Sequence, residues 1–231
     1  MAFLRSLAFG ALFATAAAAG ANAAVVTIFD STGLTSAGNT SASSALSGGH
    51  GAIAESFLTD NGSSITLNSV ELDLKLSGTA ATGASFIVTL NAASGSPGTP
   101  GSALATLGTF TDIGSGLTST PALFSITGLS TALSANTEYF LTLTDANSGT
   151  PHTKVQWLFS NGAAGTGTTG QTGLFSAAET TQWNGTLSGT DVYLAQVTTN
   201  ETPAPEPATL AVLGVGIAGL GWARRRAARK V

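Results

Sequence analysis

No cysteine occurs among the 231 residues, which excludes disulfide staples, a thiol nucleophile and cysteine-ligated zinc. Imidazole is almost as scarce: His50 and His152 are the only two, each in a Gly/Ser-rich or turn-like setting, and no G-x-S-x-G elbow accompanies them. Aromatic residues make up 7% of the chain and charged residues 9%. Cations are nearly absent from its middle. Between Ala24 and Pro207 lie all twelve acidic residues and only Lys75 and Lys154, a formal charge of −10. A body of that sign repels polyphosphate and anionic head groups, so nucleic-acid binding is excluded on electrostatic grounds. Also missing from this stretch is any capped apolar stripe at helical period.

What the chain does have is concentrated at its ends. Arg5 supplies a positive start, Leu7 to Ala19 an apolar run, and Ala21-Asn22-Ala23 an A-x-A site before Ala24, the order of a secretory signal peptide over residues 1–23. Near the other end, Pro205-Glu206-Pro207 precedes an apolar run from Ala208 to Ala223 and then a basic cluster of Arg224, Arg225, Arg226, Arg229 and Lys230. Such a cluster resists translocation, so the pattern predicts a transmembrane helix whose basic end stays in the cytoplasm. Sixteen residues at about 1.5 Å each reach roughly 24 Å, short of a hydrocarbon core of about 30 Å, so Trp222 and Arg224 belong at the interface. Gly214, Gly216, Gly219 and Gly221 would let a partner helix approach closely. Gly214 to Gly219 also fits the dinucleotide pattern G-x-G-x-x-G, but no strand and no βαβ unit surrounds it.

Taken together the two ends resemble the PEP-CTERM class of exported bacterial proteins: Pro205-Glu206-Pro207-Ala208-Thr209-Leu210 opens the motif, a Gly-rich apolar helix follows and an Arg-rich end closes it. The resemblance implies recognition by an exosortase, a membrane transpeptidase or protease, with processing near the Pro-Glu-Pro triplet. It also implies an association with exopolysaccharide.

Between the ends, period two recurs. Val70, Leu72, Leu74 and Leu76 alternate with Glu71, Asp73 and Lys75; Phe86, Val88 and Leu90 alternate with Ser85, Ile87 and Thr89; Tyr139, Leu141 and Leu143 alternate with Glu138, Thr142 and Thr144. Each reads as a half-buried strand with one mostly wet face. Val155, Trp157 and Phe159 repeat the pattern with Trp157 in core phase, and further strands are expected at 25–29, 53–59, 103–110, 122–127 and 192–197. Reversals such as Asp60-Asn61-Gly62, Gly114-Ser115-Gly116 and Asn184-Gly185 separate them. Nine or ten short strands without helices predict an all-β body over 24–197, an antiparallel β-sandwich of jelly-roll type, with a closed barrel as the alternative. Residues 161–173 read as a long surface loop, 198–204 as a linker and 205–231 as the sorting tail.

The body is similar to the choice-of-anchor R domain, through Ala54-Glu55-Ser56-Phe57, the Leu67 to Leu76 strand, Ser85 to Leu90, Gly95-Ser96-Pro97-Gly98 leading to Leu104 to Gly108, and Leu133 to Tyr139. Phe140 stands where members often carry Trp, and the resemblance implies no activity.

No residue nominates itself as catalytic, and no cofactor is expected. Glu71 and Asp73 share a wet strand face at a spacing of about 7 Å, which suits paired-carboxylate chemistry in principle but suits solvated charge better. Asp60-Asn61-Gly62 and Asp145 to Gly149 offer hard oxygens of the kind calcium prefers, yet Asx residues at turns bond their own backbone without a metal. Trp183, beside Asn184-Gly185, is the candidate glycan contact. The sequence therefore predicts a non-catalytic envelope or surface protein, structural or exopolysaccharide-associated, whose partners are an exosortase-type enzyme and the inner membrane. A carbohydrate-binding module on the same tail is the alternative.

Overall fold

A computed structural model describes residues 23–42, 50–61, 65–95, 98–147, 151–161, 165–167, 174–177, 183, 185–186, 191–201, 214 and 217. The expected signal-peptide helix lies outside that set, as does the expected transmembrane helix apart from Gly214 and Ile217, which are helical. No helix among the described residues is long and apolar enough to cross a membrane.

Everything else in regular structure is strand. In chain order these are β1 (Ala24–Asp30), β2 (Gly38–Ser41), β3 (His50–Leu58), β4 (Ile65–Leu76), β5 (Ser85–Ser94), β6 (Thr99–Thr111) and β7 (Ala122–Thr127). Then follow β8 (Ala132–Leu133), β9 (Glu138–Asp145), β10 (Val155–Ser160), β11 (Leu174–Ala177), β12 (Gly185–Thr186), β13 (Val192–Tyr193) and β14 (Ala195–Glu201). One sheet runs β1-β14-β4-β10-β13, with β2 on β10 and β7 and β8 on β4; the second runs β12-β11-β3-β9-β5-β6. Every pairing is antiparallel. The sheets face each other across one core, to which Leu67, Val70, Leu72 and Leu74 contribute from the first and Ile53, Phe57, Phe86, Val88 and Leu141 from the second. This is a β-sandwich, as the alternation predicts, and not a closed barrel.

The longest alternation changes phase partway. Ile65 and Leu67 face the core, then Val70, Leu72, Leu74 and Leu76 do, because the β4–β14 register shifts between Thr198 and Thr199. A bulge of this kind resets a period-two pattern at the cost of a local kink. Its polar groups are bonded across the strands: Asn68 Nδ2 donates to Thr198 Oγ1 at 3.1 Å, and the Ser69 and Thr198 hydroxyls lie 2.7 Å apart. The alternation predicts a last strand ending at Val197 and a linker over 198–204. Pairing instead continues to Glu201, with Thr199 fully buried, so the folded body reaches within four residues of Pro205.

The middle of the second sheet departs from the one-wet-face expectation. Residues 51–57 of β3 and 139–143 of β9 are buried on both faces. Phe140 and Ala54 form a small cluster on the face away from the core, and Ala93 and Trp183 pack on it. Part of the expected surface loop is also engaged. Thr166 exchanges hydrogen bonds of 3.0 and 2.8 Å with Asp30, covering part of the β1 edge. A Cβ at Gly167, where φ is +75°, would overlap the Ile28 carbonyl, so only glycine permits this approach.

The two sheets meet at Tyr193 and Leu194. Trp157, fully buried, stacks on Tyr193 with ring centroids 5.0 Å apart and donates its indole N–H to Leu194 O at 2.9 Å. Leu194 O also accepts from Asp73 N, and Leu194 N donates to Leu158 O, both at 2.9 Å. From the opposite sheet Glu55, 1% exposed, accepts from Tyr193 N at 2.6 Å and from Ser56 N at 3.2 Å. Burial pushes the Glu55 carboxyl well above its ordinary 4.5, against the opposing pull of those two N–H donors.

That shift has a defined sign. The native state keeps the Glu55 proton at pH values where the unfolded chain has released it, so its contribution to stability is complete below about pH 4.5 and is lost as pH rises through the folded value. Glu55→Gln should therefore flatten the fall in stability above pH 5, by at most about 1.4 kcal/mol per pH unit, and stabilise the protein at alkaline pH. Urea unfolding midpoints between pH 5 and pH 9 check this; parallel profiles for the two proteins would remove the assignment.

Candidate functional site

A concave feature lies on the second sheet, on the face away from the core. It encloses about 630 Å³, within the usual range for small-ligand sites. Neighbouring strands build its floor. Thr142 and Thr144 come from β9, Thr89 and Asn91 from β5 and Ala52 from β3, all in the alternation phase opposite to the core residues, and Gly51 lines it next to Ala52. Gly101 and Ser102 of β6 and the half-buried Trp183 complete the walls.

Its polar groups differ in how far they are committed. Asn91 Nδ2 donates to Gly101 O at 2.9 Å, and Asn91 Oδ1 accepts from Thr89 Oγ1 at 2.7 Å, which fixes the Asn91 amide. Thr142, 3% exposed, differs: its hydroxyl oxygen is buried with no hydrogen-bond partner. Leaving such a group unsatisfied costs about 1–3 kcal/mol. Among the described residues Asp145 is the one ionisable group in the lining.

Asp145 belongs to a second polar cluster that closes this end of the sandwich. Its Oδ1 accepts from Asn147 N at 2.9 Å, while Oδ2 accepts from Thr153 N at 3.2 Å and lies 2.9 Å from His152 Nδ1. Asn147 Nδ2 in turn donates to Gly83 O and Pro151 O at 3.1 and 2.6 Å. Beside it, fully buried Asp112 accepts from Thr153 Oγ1 at 2.5 Å and Lys154 N at 2.8 Å, tying the end of β6 to the β9–β10 connection. These carboxylates hold turns. Among the described residues no three His, Asp or Glu side chains converge as metal ligands would.

The other sequence candidates are dispersed. Glu71 accepts from Ser125 Oγ at 2.8 Å across the β4–β7 pair, and Asp73, on the same strand, has its carboxyl pushed up by partial burial. His50 begins β3, opposite Ala177. Asp60 gives its carbonyl to Asn136 N at 2.7 Å and lies near Glu201, whose carboxyl is raised by desolvation first and by Asp60 as well. Of the signal-cleavage residues, Ala21 lies outside the described set, Ala23 is exposed, and Ala24 opens β1 opposite Glu201. Pro205, Glu206, Pro207 and the basic cluster of Arg224, Arg225, Arg226, Arg229 and Lys230 also lie outside the described residues. Trp183, the candidate glycan contact, lines the cleft, as do Asp145 and Asn147 of the Asp145 to Gly149 turn. Reading the strands for their core phase passed over Thr89, Asn91, Thr142 and Thr144; the signal was the hydroxyl and amide run in the other phase.

Residues 203–226 match the family model of the PEP-CTERM protein-sorting motif. The match takes in Pro205-Glu206-Pro207, the apolar run and the first three arginines of the cluster, and it marks a protein sorted at the membrane. No curated protein matches the chain.

Asp112 provides a direct check on the structural role of this end. Asp112→Ala strands the Thr153 hydroxyl and the Lys154 N–H and should lower the unfolding free energy by about 3 kcal/mol, with Asp112→Asn losing less. Chemical denaturation measures it, and a loss below about 1 kcal/mol for the alanine variant would contradict the bonding described.

Proposed function

We propose that the chain is an exported surface protein whose body is delivered by exosortase-type processing of its tail and serves a non-catalytic, structural or exopolysaccharide-associated role. The observation that carries this reading is the position of the sorting motif, which begins at residue 203, just after the last paired residue, Glu201. Four residue steps from Glu201 to Pro205 span at most about 14 Å, so a membrane enzyme acting at the triplet works close beneath a finished sandwich. Residues 1–23 serve as the signal peptide, 205–231 as the tail, and the arginines hold the tail's end in the cytoplasm while the rest crosses. The body is read as a member of the choice-of-anchor R group with jelly-roll-like connections, on the residues quoted for that resemblance. Its carboxylates support a non-catalytic reading, since Glu55, Asp112 and Asp145 are each bonded to backbone N–H groups that position strands and turns.

Mass spectrometry of the C-terminus of the surface form tests the sorting arm. The expected species ends near Pro205 to Pro207, keeps Glu201 and lacks Arg224 to Lys230. A surface population still ending in Val231 would reject processing. One observation favours the alternative of a carbohydrate-binding body, namely Trp183 on the wall of a cleft lined by hydroxyls and amides.

A further inference from the structure

We infer that the cleft on the second sheet is a binding site for a neutral carbohydrate, with Trp183 as its stacking wall and Thr142, Thr144, Thr89 and Asn91 as its polar floor. Three features select that ligand class. The first is the ring: Trp183 packs against the Ala54–Phe140 cluster and still lines the cleft, so it presents an apolar surface there. The apolar C–H face of a pyranose fits such a surface, while its rim of hydroxyls needs donors and acceptors around it.

The floor supplies these. Asn91 is fixed by its bonds to Gly101 and Thr89 and retains a second amide N–H, and Thr144 adds a hydroxyl. Thr142 is the informative member. A buried hydroxyl without a partner is a standing cost in the free protein, and a Thr χ1 rotation, which exchanges methyl and hydroxyl, would turn it toward a ligand hydroxyl. Nothing in the fold uses it otherwise. One other buried side-chain oxygen among the described residues lacks a partner, Tyr193 Oη, but it lies within the core, whereas Thr142 sits on the floor of the cleft.

Charge sets the third limit. Among the described residues no Lys or Arg lines the cleft and the one lining carboxylate, Asp145, is engaged by its own turn, while residues 24–207 carry −10. A uronic-acid or sulfated chain would meet repulsion without a compensating cation, so the ligand is an uncharged glycan.

The inference rests on the export reading, which places the body where glycans are, but the binding assay is independent of it. The test uses the full chain in a detergent without a sugar head group. It is titrated with six-unit β-1,4- and α-1,4-linked glucans, a β-1,4-linked mannan and an α-1,4-linked galacturonan, followed by calorimetry and tryptophan fluorescence. At least one neutral oligosaccharide should bind and shift the emission. Trp183→Ala should weaken that binding at least tenfold. Thr142→Val should weaken it about three- to tenfold while leaving the melting temperature unchanged or higher, a combination that a purely structural threonine does not produce. The assignment is overturned if no neutral glycan binds the cooperatively folded wild-type chain, if binding is undiminished in both variants, or if the galacturonan binds as tightly as the neutral chains. Whether the tail is cut is read separately from the C-terminal mass, so failure of one reading is distinguishable from failure of the other.

Discussion

The backbone from Tyr193 to Ala195 is held as much by side chains as by neighbouring strands, and the closure of the sandwich depends on it. Ser31 Oγ donates to Tyr193 O at 2.8 Å and accepts from Ala195 N at 2.9 Å; Glu55 takes Tyr193 N; the Trp157 indole takes Leu194 O. Each anchor comes from a different part of the chain: Ser31 just after β1, Glu55 in β3 and Trp157 in β10. At Leu194 the chain leaves its pairing with β10 and moves over to β4, so a continuous ladder cannot satisfy every group there. Buried side-chain donors and acceptors do so instead, which is what permits a strand switch inside a core.

That junction makes the last strand structurally central. β14 lies between β1 and β4, and β1 has no other strand partner among the described residues apart from the Thr166 bridge. The first sheet therefore cannot form its β1 half until residues 195–201 have been delivered. Pairings between segments some 170 residues apart carry a large loop-closure cost and come late in folding. With no cysteine to trap an intermediate, completion of the body waits on its final residues. Ala24 pairs with Glu201, so both ends of the body leave from the same corner of the sandwich.

The sequence disclosed the strands whose burial is one-sided and lost those that depend on partners. Val70 to Leu76 and Phe86 to Leu90 alternate strictly and lie where the pattern puts them, as does Trp157. β2, Gly38–Ser41, and β12, Gly185–Thr186, carry no apolar alternation; they exist because β10 and β11 offer them an edge. Glu55 was legible in one respect, since it occupies the core phase between Ile53 and Phe57. Its meaning was not, because nothing local indicates that the Tyr193 amide, 138 residues away, will meet it. The cleft was half visible: Trp183 stood out as an aromatic beside a turn, while Thr142 and Asn91 looked like ordinary wet-face residues until neighbouring strands brought them onto one floor.

A division among the buried polar groups separates architecture from recognition. Asp112, Thr153, Asp145, Ser31 and Glu55 all meet partners at hydrogen-bond distance; Asp145 closes its own turn, and the others join segments remote in sequence. Such groups are retained because breaking one strands another, so their presence says nothing about ligands. Thr142 joins nothing, and Val in its place would pack the same volume without the unmet hydroxyl. Tyr193 Oη is idle as well but lies inside the core; a hydroxyl left idle on the floor of an open cleft, next to an aromatic wall, is better explained by what arrives there than by what the fold requires.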